Sequence, residues 1–286
     1  MIKTRIFPEH NYKGIHINGK TIRIALDPKK PIEELRYPEF YDVKVTPYCE
    51  GNCPYCYQSS VSTTDHPDNI VNKFLDYYGP MDNNQKPFQI AFGGGEPTTH
   101  PQFVELMLAS HHLGITPNYT TNGMWVTFPI LQRTELLKVT KDYCGGVAVS
   151  THPHLKPYWE TAVKMYLDEN IFTNLHIIIG GKKSIDDFLE IYEKYKGRVK
   201  YFVLLPLTAQ GRAKESFVDW EYFEKRVEGS PSDIAFGANF YPYLCKDRTR
   251  FKVSLYEPEI MSGYLDLENM KVYKSSFSSE EKKIGK

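Results

Sequence analysis

Neither sign of charge predominates in this chain of 286 residues: 35 Lys and Arg stand against 35 Asp and Glu, for a net charge of +0 and a pI near 7.1. The basic excess on which a nucleic-acid binder relies is lacking, so a nucleic-acid partner is disfavoured, although a small nucleotide site stays open. Long apolar runs are lacking too. No stretch reaches the ~18 to 20 apolar residues of a membrane span, and the opening MIKTRIFPEH has no apolar signal core. No membrane partner is expected, and the expected compartment is the cytoplasm. Cysteine is scarce and odd in number. Of five, three fall within eight residues, at Cys49, Cys53 and Cys56, and the other two, Cys144 and Cys245, stand alone. That distribution argues against a disulfide framework and for a metal site.

What is present reads as one large α/β unit with a modest appendage. Residues 1–40 form a small β-rich extension: Ile22, Ile24 and Leu26 share one face of a strand expected to be half-buried, and Asn18-Gly19 before it is a hairpin-turn signal. From about residue 41, short apolar runs appear at 42–45, 88–92, 115–119, 146–150, 175–179 and 201–205. Between them lie helical stripes such as Ile70, Phe74 and Tyr78, or Trp159, Ala162, Val163 and Tyr166. Ser184 with Asp187 three residues on resembles a capping box opening another helix. Strict strand–helix alternation predicts parallel strands joined by right-handed crossovers, as a doubly wound sheet or a partial barrel. Beyond Gly211 the alternation stops. A helix is expected over 219–228, short strands over 251–256, 262–267 and 271–273, and a frayed polar tail from Ser278.

Cys49-Glu-Gly-Asn-Cys53-Pro-Tyr-Cys56 directly follows the first strand of the alternating region, at the carboxyl end where α/β folds bind ligands. Three thiolates on one tight loop can grip one face of an iron–sulfur cluster; a four-iron cluster so held keeps one iron open to another ligand. The competing reading is a structural zinc ion with a fourth ligand from elsewhere, His66 or His100, in a non-catalytic binding module. A second segment, Phe92-Gly93-Gly94-Gly95-Glu96-Pro97, ends the second strand, where glycines admit a ligand close to the backbone.

The spacing C-x3-C-x2-C, with an aromatic residue (Tyr55) before the last cysteine, resembles the cluster signature of the radical S-adenosylmethionine superfamily. The Gly93–Pro97 segment, one strand–helix unit later, is similar to that superfamily's segment for the methionine amino group of the cofactor. The resemblance spans roughly residues 41–211. It implies an α/β fold, a partial (β/α)6 TIM-like barrel, holding a [4Fe-4S] cluster on Cys49, Cys53 and Cys56. It further implies S-adenosyl-L-methionine contacts at Tyr55, Gly93, Gly94, Gly95, Glu96, Asn122, Ser150 and Leu205. Asn122 also suits an ordinary Asn-Gly turn, Ser150 a surface site, and Leu205 the core. The implied chemistry is reductive cleavage of S-adenosylmethionine to a 5′-deoxyadenosyl radical that abstracts hydrogen from a substrate, in an oxygen-sensitive enzyme.

Residues 212–286, with Leu207–Arg212 leading into them, resemble the SPASM/twitch extension of the peptide-modifying branch. Their auxiliary-cluster cysteines are lacking, since only Cys245 remains. A peptide or small-molecule substrate is implied, with a nucleotide or nucleoside as the alternative, and a reductase such as flavodoxin or ferredoxin as electron donor. Cys245 is read either as a small buried hydrophobe or as a hydrogen-atom donor to a substrate radical. Cys144 is expected to pack at a helix end. His152 and His154 are expected on a loop at the mouth of the site, as surface groups or as proton partners.

Overall fold

In the computed structural model the described residues are 2–17, 19–227, 231–244 and 258–282. The chain opens with an antiparallel sheet of β1 (Ile2–Phe7), β2 (Tyr12–Ile17) and β3 (Lys20–Ala25). The alternating region follows as β4 (Phe40–Thr46), α1 (Ile70–Tyr78), β5 (Gln89–Gly94), α2 (Phe103–His112), β6 (Thr116–Thr121), α3 (Ile130–Tyr143), β7 (Gly146–Ser150), α4 (Lys156–Asp168), β8 (Thr173–Ile179), α5 (Lys182–Tyr195) and β9 (Tyr201–Pro206). After it come α6 (Trp220–Arg226), β10 (Ile234–Phe236), α7 (Tyr241–Leu244), α8 (Pro258–Met261), β11 (Ser262–Asp266) and β12 (Lys271–Tyr273).

Nine strands form one sheet in the order β10-β9-β8-β7-β6-β5-β4-β11-β12, parallel throughout except for β11 against β12. From β4 to β10 each strand lies beside its predecessor and the order never reverses. Right-handed crossovers that always step the same way place every helix on one face. A doubly wound sheet would reverse at a switch point. The arrangement is the partial barrel, and periodicity alone could not decide this.

The burial pattern follows from that winding. Val43 and Val45, Ile90 and Phe92, Val147 and Val149, Leu175, Ile177 and Ile179 turn outward and pack with Phe74, Phe103, Leu106, Trp159, Val163, Ile185 and Phe188 of the helices. Alternate residues, among them Asp42, Lys44, Gly93, Thr120, Ser150, His176 and Leu205, line the concave face. No helix among the described residues is long and apolar enough to cross a membrane.

Several local expectations change. The Ile22–Ile24–Leu26 face of β3 points outward, with Ile22 54% exposed. The opposite face is the enclosed one, because Arg23 and Tyr12 both bond the buried carboxylate of Glu39. Ser184 lies inside α5 rather than capping it: its hydroxyl donates to the carbonyl of Gly181, the N-cap residue, and accepts from the Gly180 N–H. Helix α3 gives no strong sequence stripe, since Ile130 and Leu131 are exposed and only Leu136, Val139 and Thr140 are buried. The segment from Ser278 is not frayed as far as Lys282. Lys282 is buried, its ammonium bonds the carbonyls of Glu259 and Ser262 and pairs with Glu34, and its N–H bonds Val272. The expected strand at 251–256 lies outside the described residues.

Candidate active site

The loop after β4 carries the three cysteines, and β5 fixes it. The Gly95 N–H bonds the Thr46 carbonyl at 2.6 Å and the Glu96 N–H bonds Tyr48 at 2.8 Å. A side chain at Gly95 would strike the Tyr48 carbonyl, and one at Gly94, held at φ +110°, would meet the Thr46 carbonyl at 2.7 Å. Gly93 differs: a Cβ there would meet nothing, because it faces the open concave wall. Two of the three glycines thus serve packing of the cysteine loop, and the first leaves room for a ligand.

Within the loop the Cys49 sulfur accepts from the Gly51 N–H at 3.3 Å and from the Asn122 amide at 3.7 Å. Burial pushes the Cys49 thiol up to about 11 and the Cys53 thiol up to about 12. The neighbouring thiols add to both shifts, so the three sulfurs sit within electrostatic reach of one another. No three His, Cys, Asp or Glu side chains among the described residues converge closely enough to hold a single ion. A tetrahedral zinc site needs sulfurs roughly 4 Å apart, whereas a cubane takes one thiolate at each of several separate corners. The proposed zinc partners lie elsewhere: His66 bonds Thr46 Oγ1 and His100 bonds the Pro67 carbonyl, ring against ring at 5.1 Å. Three thiols on one loop suit a cluster, and among the described residues neither His66 nor His100 joins them.

Glu96 is buried with both oxygens engaged. One accepts from Thr98 N, Thr98 Oγ1 and Thr121 Oγ1, the other from Asn122 N at 2.7 Å. Its side chain braces the β6 turn that presents Asn122 to Cys49. Gly123 beside it has φ +84°, and a Cβ would meet Trp159 Cα at 2.7 Å.

Other expected residues gather along the carboxyl edge. Ser150 ends β7 on the concave face, in register with His176 of β8, and Leu205 of β9 faces inward in register with Ile178. Tyr55 lies 5.6 Å, ring to ring, from His152, and burial raises its phenol pKa. Both line a cleft of about 810 Å³ that runs outward between α4 and α5 past Thr151, Gly180 and Leu207. Burial pushes His152 down to about 4, so it is neutral at pH 7, and the His154 Nε2–H donates to the Gly51 carbonyl at 2.8 Å. Cys144 caps α3 and packs on Met107. Cys245 lies outside the described residues.

Sequence reasoning did not single out Gly211 and Arg212 as part of the site. The Arg212 guanidinium bonds the carbonyls of Cys53 (2.7 Å) and Ser60 (2.9 Å), and its N–H bonds Cys56. Its charge draws the Cys53 thiol pKa down against the effect of burial. Gly211, at φ +61°, has no room for a side chain against Cys56 and Tyr57. The only signal was the Gly-Arg pair just past the last barrel strand, whose partners lie about 150 residues earlier in the chain.

These features define a singly wound parallel barrel that carries a thiol cradle at the carboxyl edge of its first strand. The Radical SAM superfamily profile matches residues 43–209, more than half of the chain. The chain belongs to the radical SAM superfamily, whose members carry a [4Fe-4S] cluster and bind S-adenosylmethionine. No curated protein matches it. Solved structures share the fold. Streptococcus suis SuiB bound to precursor peptide SuiA is 13% identical with a TM-score of 0.62, over 87% of this chain and 63% of that one. SuiB bound to S-adenosylmethionine gives 12% and 0.62, over 85% and 61%. The anSMEcpe protein with bound AdoMet and Cp18Cys peptide gives 14% and 0.56, over 85% and 75%. This chain therefore spans less than two thirds of the length of SuiB.

Proposed function

We propose that this protein is a radical S-adenosylmethionine enzyme acting on a peptide or protein substrate. The observation that carries the reading is the loop after β4 that bears Cys49, Cys53 and Cys56, fastened to β5 by Gly95 and Glu96, with Gly93 of β5 open on the concave face. The three cysteines would hold a [4Fe-4S] cluster by three corners and leave the fourth to S-adenosylmethionine. When bound, the cluster supplies the electron that cleaves the sulfonium, and the resulting 5′-deoxyadenosyl radical takes a hydrogen atom from the substrate.

The chain's own residues do the rest. Gly51 N–H and the Asn122 amide donate to the Cys49 sulfur and stabilise charge on it. Arg212 ties the far side of the loop, and Glu96 holds the Asn122 turn in place. Gly93 admits the cofactor's amino-acid end to the backbone, and Tyr55, Ser150 and Leu205 line the wall for its nucleoside end. The peptide class is supported by the shared fold of SuiB and anSMEcpe, each solved with a peptide bound. An external reductase such as flavodoxin or ferredoxin is the proposed electron source.

Anaerobic reconstitution tests the proposal. About four irons per chain and 5′-deoxyadenosine on reduction are expected, and Cys53→Ala should abolish both. Colourless protein with stoichiometric zinc, or full cleavage by the variant, would overturn it. Label transfer from candidate peptides or nucleosides into 5′-deoxyadenosine identifies the substrate class.

A further inference from the structure

One stretch of the concave wall has a charge pattern that the cluster and cofactor do not explain. Asp42 of β4 stands on that wall in register between Ala91 of β5 and Tyr264 of β11. Among the described residues nothing donates a hydrogen bond to its carboxylate and no cation pairs with it. Lys44, two residues along the same face, is committed to Asp266 and Glu268. Asp42 is open to solvent within the lumen, and the protein around that wall pushes its pKa up to about 7.

Two aromatic rings flank it. Tyr57, one residue past Cys56, stacks on Phe277 at 4.8 Å and receives a hydrogen bond from Ser276. The Gln58 amide donates to both phenol oxygens, that of Tyr57 at 2.8 Å and that of Tyr264 at 3.2 Å, which fixes the two rings relative to one another. Both phenols are neutral, with pKa values raised by burial, and both lie within electrostatic reach of Asp42.

We propose that Asp42, Tyr57 and Tyr264 form a subsite on the concave face for a positively charged side chain of the substrate, an ammonium or a guanidinium. The proposal rests on the concave face being the substrate cleft. An anionic group would be repelled there, and a neutral apolar group seated on the carboxylate would strip its water and supply no partner in return. A cation gains a charge-assisted bond to the carboxylate beside two phenol rings. Because Tyr57 directly follows Cys56, a side chain held here is anchored beside the cluster loop.

The test is ligand-observed saturation-transfer NMR on the full chain with Nα-acetyl-lysine methylamide, Nα-acetyl-arginine methylamide and the uncharged Nα-acetyl-norleucine methylamide. The wild type should bind at least one cationic probe about tenfold more tightly than norleucine, and the lysine and arginine arms separate the two sources of charge. Asp42→Asn should bring all three within about twofold, and Asp42→Glu should keep the preference. If norleucine binds as tightly as both cations, or no cation binds, the proposal is overturned. It is overturned equally if Asp42→Asn keeps a tenfold preference. Should Asp42→Asn fail to fold, loss of the preference in Asp42→Glu overturns it and retention supports it. The probes report on the subsite alone. A preference without 5′-deoxyadenosine formation would sink the enzyme reading and leave the subsite; cleavage without a preference would do the reverse.

Discussion

In the barrel, the strands turn buried apolar residues outward to the helices, and β4 turns charged ones, Asp42 and Lys44, toward the lumen. In the β1–β3 sheet the assignment is reversed. Ile2, Ile6, Ile22, Ile24 and Leu26 lie exposed, and the enclosed face carries charge: Glu39 takes bonds from Arg23 and Tyr12, and Arg5 reaches the carbonyls of Tyr37, Pro38, Asn84 and Gln85. Buried ionic contacts contribute little net stability but penalise any other placement, because a displaced charge loses all its partners. The N-terminal sheet is therefore positioned by these polar contacts around a small apolar cluster of Phe7, Tyr12, Leu35 and Met261, whereas the barrel is held together by a large apolar area. The lumen is a third case, where Asp42 has no hydrogen-bond donor or cation as partner among the described residues.

Four substitutions would break or sharpen that contrast. The largest effect is expected from Glu39→Ala, which removes the buried carboxylate that Arg23 and the Tyr12 hydroxyl both bond. Urea unfolding should show a loss of about 4 kcal/mol, and a loss below about 1 kcal/mol would mean that the network is dispensable. Gly95→Ala places a methyl against the Tyr48 carbonyl and should cost about 2 to 3 kcal/mol. The iron content after reconstitution should fall with it, and unchanged iron would show that the cysteine loop tolerates displacement from β5.

Asp42→Asn should act in the opposite direction and with pH. The folded-state pKa is raised to about 7, so its stabilising contribution is complete below the unfolded value near 4 and is lost as pH rises through about 7. The amide has no such loss. The variant should match wild type at pH 4.5 and exceed it at pH 8 by about 1 kcal/mol, solvent in the lumen screening the remainder. In thermal melts that is a gain of roughly 2 to 4 °C, and a pH-independent difference would contradict it. Ile22→Thr, on the open face of β3, should change stability by less than about 0.5 kcal/mol. A larger loss would indicate that this face is covered in solution.

How legible each part was follows from the kind of physics involved. The cysteine triplet and the Gly93–Pro97 turn stand out because few roles require those residue types so close together. The outward-facing strand residues were legible because β-strand alternation and helical stripes agree on one core. Asp42 was not, since an acid alternating with Tyr41 and Val43 reads as an ordinary surface residue until the winding shows that its face is the lumen of the barrel. Glu96 was found from the motif, but its hydrogen bonds to Thr121 and Asn122 were not legible, because they depend on where β6 falls. Arg212 acts through backbone carbonyls far away in sequence, and carbonyls leave no mark in side-chain patterns. The inverted faces of β3 were missed because periodicity gives the repeat but not which side is buried.

The pairing of β4 with β11 bears on how the protein is made. Lys44 and Asp266 meet across 222 residues, so the first strand of the barrel keeps one edge bare while nearly all the intervening chain leaves the ribosome. Contacts this distant form late and slowly, and an open parallel edge is in the meantime a template for the wrong neighbour. Yield on overexpression should therefore improve more from slower synthesis or chaperone supply than from any stabilising change in the finished core.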